Sequence, residues 1–319
     1  MKFMFPIAAV FIWAANAVVS KLATGVIEPG AIAFYRWFFA MLILLPFCLR
    51  AVLKQKNMVI KSLAKLAVLA SLGMVLNQCL AYYAAYTTSA TNIAVFLSLM
   101  PLFGIFLSIP LLGSPLKFKA LVGALISFSG LIYMLSEGKP LSLISQGISV
   151  GDGLMFVSSL AYALYSVLLS KWKLPLNPWT SVFCQVVIGA LLQLPLLLIS
   201  HSYAIESQAL PMVFFAAAFA SVLAPWFWFL GVQRIGAARA TLFMNLVPVF
   251  TVSISAIFLG QQPTFFHLIG GGFVLSGLLI AQTGFLPFVY QKLPPIKLRS
   301  KPQKTATGEL TVNQSQASL

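Results

Sequence analysis

Residues able to do chemistry are scarce in this chain of 319 residues, which holds five acids, two histidines and three cysteines against 20 Lys and Arg. The hardest to explain is Arg36. It stands in Phe34-Tyr35-Arg36-Trp37, about seven residues into an otherwise uncharged apolar run over 29–49. An arginine at the centre of a membrane helix costs roughly 2.5–3.5 kcal/mol on insertion scales, and no Asp or Glu lies deep in any apolar run to neutralise it. Two readings fit. Arg36 lines a cavity and binds an anion or carboxylate, or it reaches back to the interface toward Glu28, about two turns away.

A second group is aromatic and amide. Trp13 and Asn16 are three apart and share a helix face, and Tyr162 and Tyr165 repeat the spacing. Together with Tyr82 and Arg36 they are expected to form a substrate-binding cavity, in which Arg36 takes a carboxylate and the aromatics an apolar or planar group. Trp37, Trp172 and Trp179 are expected in the interfacial belts. Asn77 and Gln78 also suit plain helix–helix hydrogen bonds, worth about 0.6 kcal/mol each. Pro101 and Pro248 fall mid-helix, where proline removes a backbone donor, and are expected as hinges or static bends. Gly104 with Ser108, Gly123 with Ser127, and Gly272 with Ser276 place small residues four apart for close helix contacts. The scattered Cys48, Cys79 and Cys184 and the peripheral His201 and His267 offer no metal-ligand spacing. No metal, no cofactor and no central proton relay is expected, and an enzyme, which needs convergent groups at membrane depth, is disfavoured.

These residues are positioned by apolar segments. The composition is 60% hydrophobic and 8% charged, against roughly 25% charged in soluble proteins, which makes this a polytopic membrane protein. At 1.5 Å of rise per residue, about 20 residues cross a hydrocarbon core of about 30 Å. Charge-poor runs over 3–20, 29–49, 120–136, 153–170, 179–200 and 209–233 each suit one span; 66–116 divides at Thr87-Thr88-Ser89 and 240–291 at Gln261-Gln262-Pro263. The predicted fold is an all-α membrane protein of ten transmembrane helices. With the N-terminus inside, 17 of the 20 cations fall on one side, the exceptions being Lys21, Arg36 and Lys139, and four of the five acids fall on the other. Positive loops stay cytoplasmic, so both termini are expected in the cytoplasm and the protein in the cytoplasmic (inner) membrane. Ala15-Asn16-Ala17 after an apolar stretch resembles a signal-peptide cleavage site, but cleavage would leave nine spans and place every basic loop outside. The formal charge of +15 is thus an orientation signal, and no nucleic-acid partner is expected.

The chain also repeats itself. A shift of 147 residues aligns Leu99-Met100-Pro101 with Leu246-Val247-Pro248, Leu112-Gly113 with Leu259-Gly260, and Ser129-Gly130-Leu131 with Ser276-Gly277-Leu278. A shift of 149 pairs Trp13-Ala14 with Tyr162-Ala163 and Leu45-Pro46 with Leu194-Pro195. Five spans per half is an odd number, so the halves are expected to be inverted repeats, an arrangement suited to alternating access about a central site. The expected divisions are a first repeat over 1–137, a second over 150–288, and a disordered cytoplasmic tail over 289–319.

These features carry a family resemblance. Trp13-Ala14-Ala15-Asn16 resembles the opening signature of the EamA family of the drug/metabolite transporter superfamily, and Phe34-Tyr35-Arg36-Trp37 is similar to its aromatic-arginine-aromatic pattern in the second helix. The stretch from Thr88 to Pro101 and then Gly113, with its echo from Gly236 to Pro248 and then Gly260, resembles the fourth helix of each unit. The resemblance covers about residues 3–285. It implies a secondary transporter, an exporter or exchanger of small organic solutes such as amino acids or metabolites, with an uncoupled facilitator, a lipid carrier or drug efflux as the alternative. Implied partners are a small-molecule substrate and membrane lipids, and a homodimer is compatible with it. One departure is plain: where many members carry a glutamate after the glycine ending helices four and nine, this chain has Ser114-Pro115 and Gln261-Gln262.

Overall fold

A computed structural model describes residues 2–23, 25–84, 87–88, 90–141, 149–200, 202–260 and 262–283; the expected tail over 289–319 lies outside them. Every regular element among the described residues is helical. In chain order we label α1 (Met4–Ala23), α2 (Pro29–Lys54), α3 (Lys56–Ala84), α4 (Ala90–Leu97 and Met100–Leu112), α5 (Phe118–Leu135), α6 (Val150–Trp172), α7 (Pro178–Leu198), α8 (Ser207–Ile235), α9 (Ala237–Thr241, a 3-10 turn Leu242–Asn245, and Leu246–Leu259) and α10 (Phe265–Thr283). Nine of these, α2 to α10, are long and apolar enough to cross a membrane, whereas the apolar stretch of α1, Met4–Ser20, is shorter. α1 itself is a 20-residue apolar helix.

Local chemistry sets the helix ends. Ser149 and Asp152 form a reciprocal capping box at the start of α6, with Asp152 N bonded to Ser149 Oγ at 3.1 Å and Ser149 N to Asp152 Oδ2 at 2.8 Å, which satisfies two otherwise orphan donors. Asn177 caps α7 through Trp179 N at 3.0 Å, with Pro178 as its first residue. Gly113 and Gly260 end α4 and α9 in the left-handed region, at φ 63° and 65°. No atom lies within 4 Å of where a Cβ would sit on either, so the backbone conformation, not space, calls for glycine there.

Irregularities fall at repeat-equivalent places. α3 becomes a π-helix over Ser71–Leu76 and α8 over Ala216–Leu223. α4 breaks at residues 98–99 and α9 tightens into its 3-10 turn, just before Pro101 and Pro248 respectively. Neighbours are paired in the same way: α3 packs on α6 as α8 does on α1, α4 on α6 as α9 on α1, and α2 on α8 as α7 on α3. α2 and α7 run antiparallel, since Gly30 meets Leu196 and Ser200 while Cys48 reaches the Trp179 carbonyl at the far end. α5 and α10 do likewise, with Gly123 against Gly277 and Ala281, and Gly130 against Gly270 and Val274. Outward-facing Phe47, Phe118, Ile257 and Phe258 are each more than 75% exposed, an apolar surface that lipid covers.

The α5–α10 seam corrects one expectation. Gly123 and Ser127 do form a close contact, and Gly104 does so against Thr241, but Gly272 has nothing within 4 Å and Ser276 is exposed. The glycines that α10 contributes are Gly270 and Gly277, on the face one seven-residue step describes. A Cβ on Gly123 would lie 2.3 Å from Ala281 N and 2.4 Å from Gly277 O, backbone atoms that cannot move aside without parting the helices. Gly123→Ala is therefore expected to destabilise the protein by roughly 1–3 kcal/mol, as overpacking does. Gly272→Ala is expected to be neutral or stabilising by about 0.5–1 kcal/mol through helix propensity. Thermal unfolding in detergent measures both, and equal behaviour of the two variants would contradict the seam.

Candidate functional site

Arg36 leaves α2 nearly two turns beyond the point where Gly30 lets α7 approach closely, and it points inward. It is 1% exposed. Its Nε donates to Ser221 Oγ on α8 at 2.8 Å, and its Nη1 donates to Gln78 Oε1 and Tyr82 OH on α3 at 3.0 and 3.2 Å. The three acceptors are neutral, and among the described residues no carboxylate pairs with the guanidinium. These contacts run to the interior and not to Glu28, so the interface reading does not describe this side chain. Ser221 can meet Arg36 because it belongs to the π-helical stretch of α8, and such stretches recur at functional sites.

The polar chain continues away from the charge. Gln78 Nε2 donates to Asn77 Oδ1 at 3.2 Å. Asn77 Nδ2 donates to the carbonyl and hydroxyl of Ser158 on α6, both at 3.2 Å, and Ser158 Oγ donates back to the Asn77 carbonyl at 2.9 Å. Four helices, α2, α3, α6 and α8, are joined through this network.

Beside it lies a small cavity lined by Trp13, Trp37, Gly73, Met74, Gln78, Tyr162, Tyr165, Ala220 and Pro225. Trp13 meets Tyr162 edge-on at 5.8 Å and 88°, and lies 5.5 Å from Trp228. Tyr162 is in turn 5.3 Å from Tyr165 and 5.7 Å from Trp228, separations at which aromatic pairs attract beyond simple burial. Both π-helical stretches serve this cluster. In α8 the Ala220 carbonyl accepts from Trp13 Nε1 at 3.2 Å. In α3, Gly73 leaves room for the Tyr165 ring, whose Cδ2 would be 2.9 Å from a Cβ.

Of the residues expected from sequence, Trp13, Tyr162 and Tyr165 line the cavity, while Arg36 and Tyr82 sit together behind Gln78. Asn16 stands apart: its Nδ2 donates to Ser20 Oγ at 3.4 Å and its Oδ1 is buried without a partner among the described residues. Neither Pro101 nor Pro248 lines the cavity. Trp37 requires a correction. It is 2% exposed, it lines the cavity with its Nε1 unpartnered among the described residues, and the Arg36 guanidinium lies 5.2 Å from its ring. It is not an interfacial-belt tryptophan. Ser221, Gly73 and Ala220 also escaped sequence reading, for no residue pattern announces a π-helix. Among the described residues no three or more His, Cys, Asp or Glu converge in a way that could hold a metal.

The arrangement is thus an aromatic cage with a buried guanidinium held just behind its Gln78 wall. Comparisons with known proteins identify the family. A Bacillus subtilis (strain 168) protein named as the uncharacterized transporter YyaM is 28% identical over 268 residues, which cover 82% of this chain and 87% of that one. An Archaeoglobus fulgidus protein named as an uncharacterized transporter is 26% identical over 274 residues, 84% of this chain and 93% of its own. Protein PecM of Dickeya dadantii (strain 3937) is 27% identical over 241 residues, 73% and 78% of the two chains. A solved crystal structure shares the fold, with a TM-score of 0.71 at 16% identity over 88% of this chain and 97% of that one. The sequence profile of the EamA-like transporter family matches residues 2–136 and 149–283, and the chain belongs to that family of multi-pass membrane proteins.

Proposed function

We propose that this protein is a secondary transporter, an exporter or exchanger that moves small organic solutes bearing a carboxylate, amino acids or related metabolites, across the cytoplasmic membrane. The observation that carries the proposal is Arg36. A buried cation whose described partners are all neutral retains its desolvation cost, and an anionic solute in the adjoining cavity supplies the missing charge. Trp13, Tyr162 and Tyr165 then hold the apolar or planar part of the solute. As it stands the cavity is far smaller than a small-molecule site, so an amino-acid-sized solute enters only as the helices part.

Ten crossings in two inverted five-helix repeats provide that movement. In support, the two family matches begin and end 147 residues apart, the repeat-equivalent pairs α2/α7 and α5/α10 run antiparallel, and the 20 residues of α1 span about 30 Å at helical rise. Contacts at each end suit alternating gates. At the cytoplasmic end, the Arg234 guanidinium lies 4.1 Å from the Phe5 ring and that of Arg239 lies 5.3 Å from Phe3. At the outer end, Thr88 Oγ1 donates to Asp152, and Gly151 packs where a Cβ would sit 2.6 Å from the Ala84 carbonyl. Pro101 and Pro248 flank the helix breaks at which bending would occur.

In proteoliposomes, Arg36→Ala is expected to lower uptake of labelled carboxylate solutes by at least about tenfold, the equivalent of 1.4 kcal/mol; unchanged uptake would remove Arg36 from the site. Acceleration of uptake by unlabelled solute preloaded on the far side identifies an exchanger, and its absence a facilitator. Reporter fusions after Gln55 and after Ala204 are expected to read cytoplasm and exterior respectively, and the reverse result would overturn the orientation.

A further inference from the structure

Gln78 stands between the cavity and the buried charge. It lines the cavity, whereas Arg36 does not, and its Oε1 accepts from Arg36 Nη1 at 3.0 Å. Its other end holds Asn77, and through Asn77 the α3–α6 contact at Ser158. Every described acceptor on Arg36 is neutral. A hydrogen bond with an ionised acceptor is roughly twice as strong as one between neutral groups, and the advantage grows where the local dielectric is low. A carboxylate reaching this cavity therefore competes for Nη1 against an amide oxygen on a flexible side chain. A second donor lies beside it: Trp37 lines the same cavity, and its Nε1 is buried and unpartnered among the described residues.

We infer that Gln78 is a neutral stand-in for the substrate's carboxylate. The solute's carboxylate displaces the Gln78 amide from Arg36 and accepts from Trp37 Nε1, and the displaced Gln78 releases Asn77. The inference rests on the reading of Arg36 as the anion-binding group. The release is felt in α3 immediately beyond its π-helical stretch, Ser71–Leu76, where the backbone already departs from regular α-helical bonding. Gln78 is thus a positioning and specificity residue: a solute must offer Arg36 a better acceptor than an amide. Neutral amide analogues of the same shape gain nothing over Gln78 and are not retained.

The test uses the full chain purified in detergent, following its thermal unfolding midpoint with phenylacetate, indole-3-acetate and L-phenylalanine, and with phenylacetamide as a neutral isostere. The wild type is expected to gain stability with at least one carboxylate and none with the amide. Gln78→Glu supplies a permanent carboxylate; its midpoint without ligand is expected to rise, and its half-saturating carboxylate concentration to increase at least about tenfold. Gln78→Met keeps the volume but removes the acceptor; its midpoint is expected to fall while carboxylates bind at lower concentrations than in the wild type. A Gln78→Glu protein that is not stabilised or responds to carboxylates as the wild type does, or a Gln78→Met protein that loses its response, overturns the stand-in role alone. A wild type that responds to none of the carboxylates, or equally to phenylacetamide, overturns the carboxylate reading of Arg36 and the stand-in role with it.

Discussion

A full positive charge held inside an apolar bundle by neutral acceptors is the constraint around which the centre of this protein is arranged. Moving such a charge out of water costs several kcal/mol even after relaxation, so its neighbours must be placed to offset that cost. Ser221, Gln78 and Tyr82 come from two helices that both have to approach α2 at one depth. α8 presents Ser221 from within its π-helical stretch. α3 presents Gln78 and Tyr82 from the turns beyond its own, four residues apart on one face. The same two stretches serve the aromatic cage through Ala220 and Gly73, so the charge and the cage share one scaffold and neither is built without the other.

Repeat-equivalent helix pairs meet through similar contacts, but their chemistry differs. The α5–α10 seam exchanges Gly123 with Gly270 and Gly130 with Gly277 across a shift of 147, and the contacts on each side are of the same kind. By the shift of 149 that matches α2 with α7, Arg36 corresponds to Gln185. Gln185 is fully buried, donates to Ser181 on its own helix, and has its Oε1 without a partner among the described residues. One half therefore carries a cation where the other carries a neutral amide. Duplicated packing gives two similar frames, and a single substitution at an equivalent position makes the centre polar in one direction.

Much of this was legible in the sequence because the bilayer imposes strict rules. Uncharged stretches about 20 residues long have few alternatives to helix in lipid, and an arginine in one of them identifies itself by its cost. Trp13, Tyr162 and Tyr165 were legible for a related reason, since aromatics three apart at mid-span cannot belong to an interfacial belt. Trp37 was misread because tryptophans are common in interfacial belts, although it stands near the middle of the 29–49 run. One residue turns a helix by about 100°, so the neighbour of an inward arginine can still line the same cavity. Gly272 and Ser276 misled in the opposite sense: four-residue spacing defines a face without saying whether protein or lipid covers it. The π-helical stretches were not legible at all, because they arise from how helices pack and not from any local preference of Ser71–Leu76 or Ala216–Leu223.

The scarcity of acid acquires a physical meaning from this geometry. Had a carboxylate been buried beside Arg36, the pair would neutralise itself, and the pocket would favour uncharged solutes or proton exchange. With only a serine, an amide and a phenol in contact, the field of the guanidinium extends into the cavity and is strongest where water is excluded. On the proposed reading such a site would discriminate by charge before shape, since an aromatic cage can hold many planar or apolar groups while the guanidinium favours an anion. Selectivity on that reading would depend on how much better a solute's acceptor is than the neutral one it displaces, at the contact between Arg36 and Gln78.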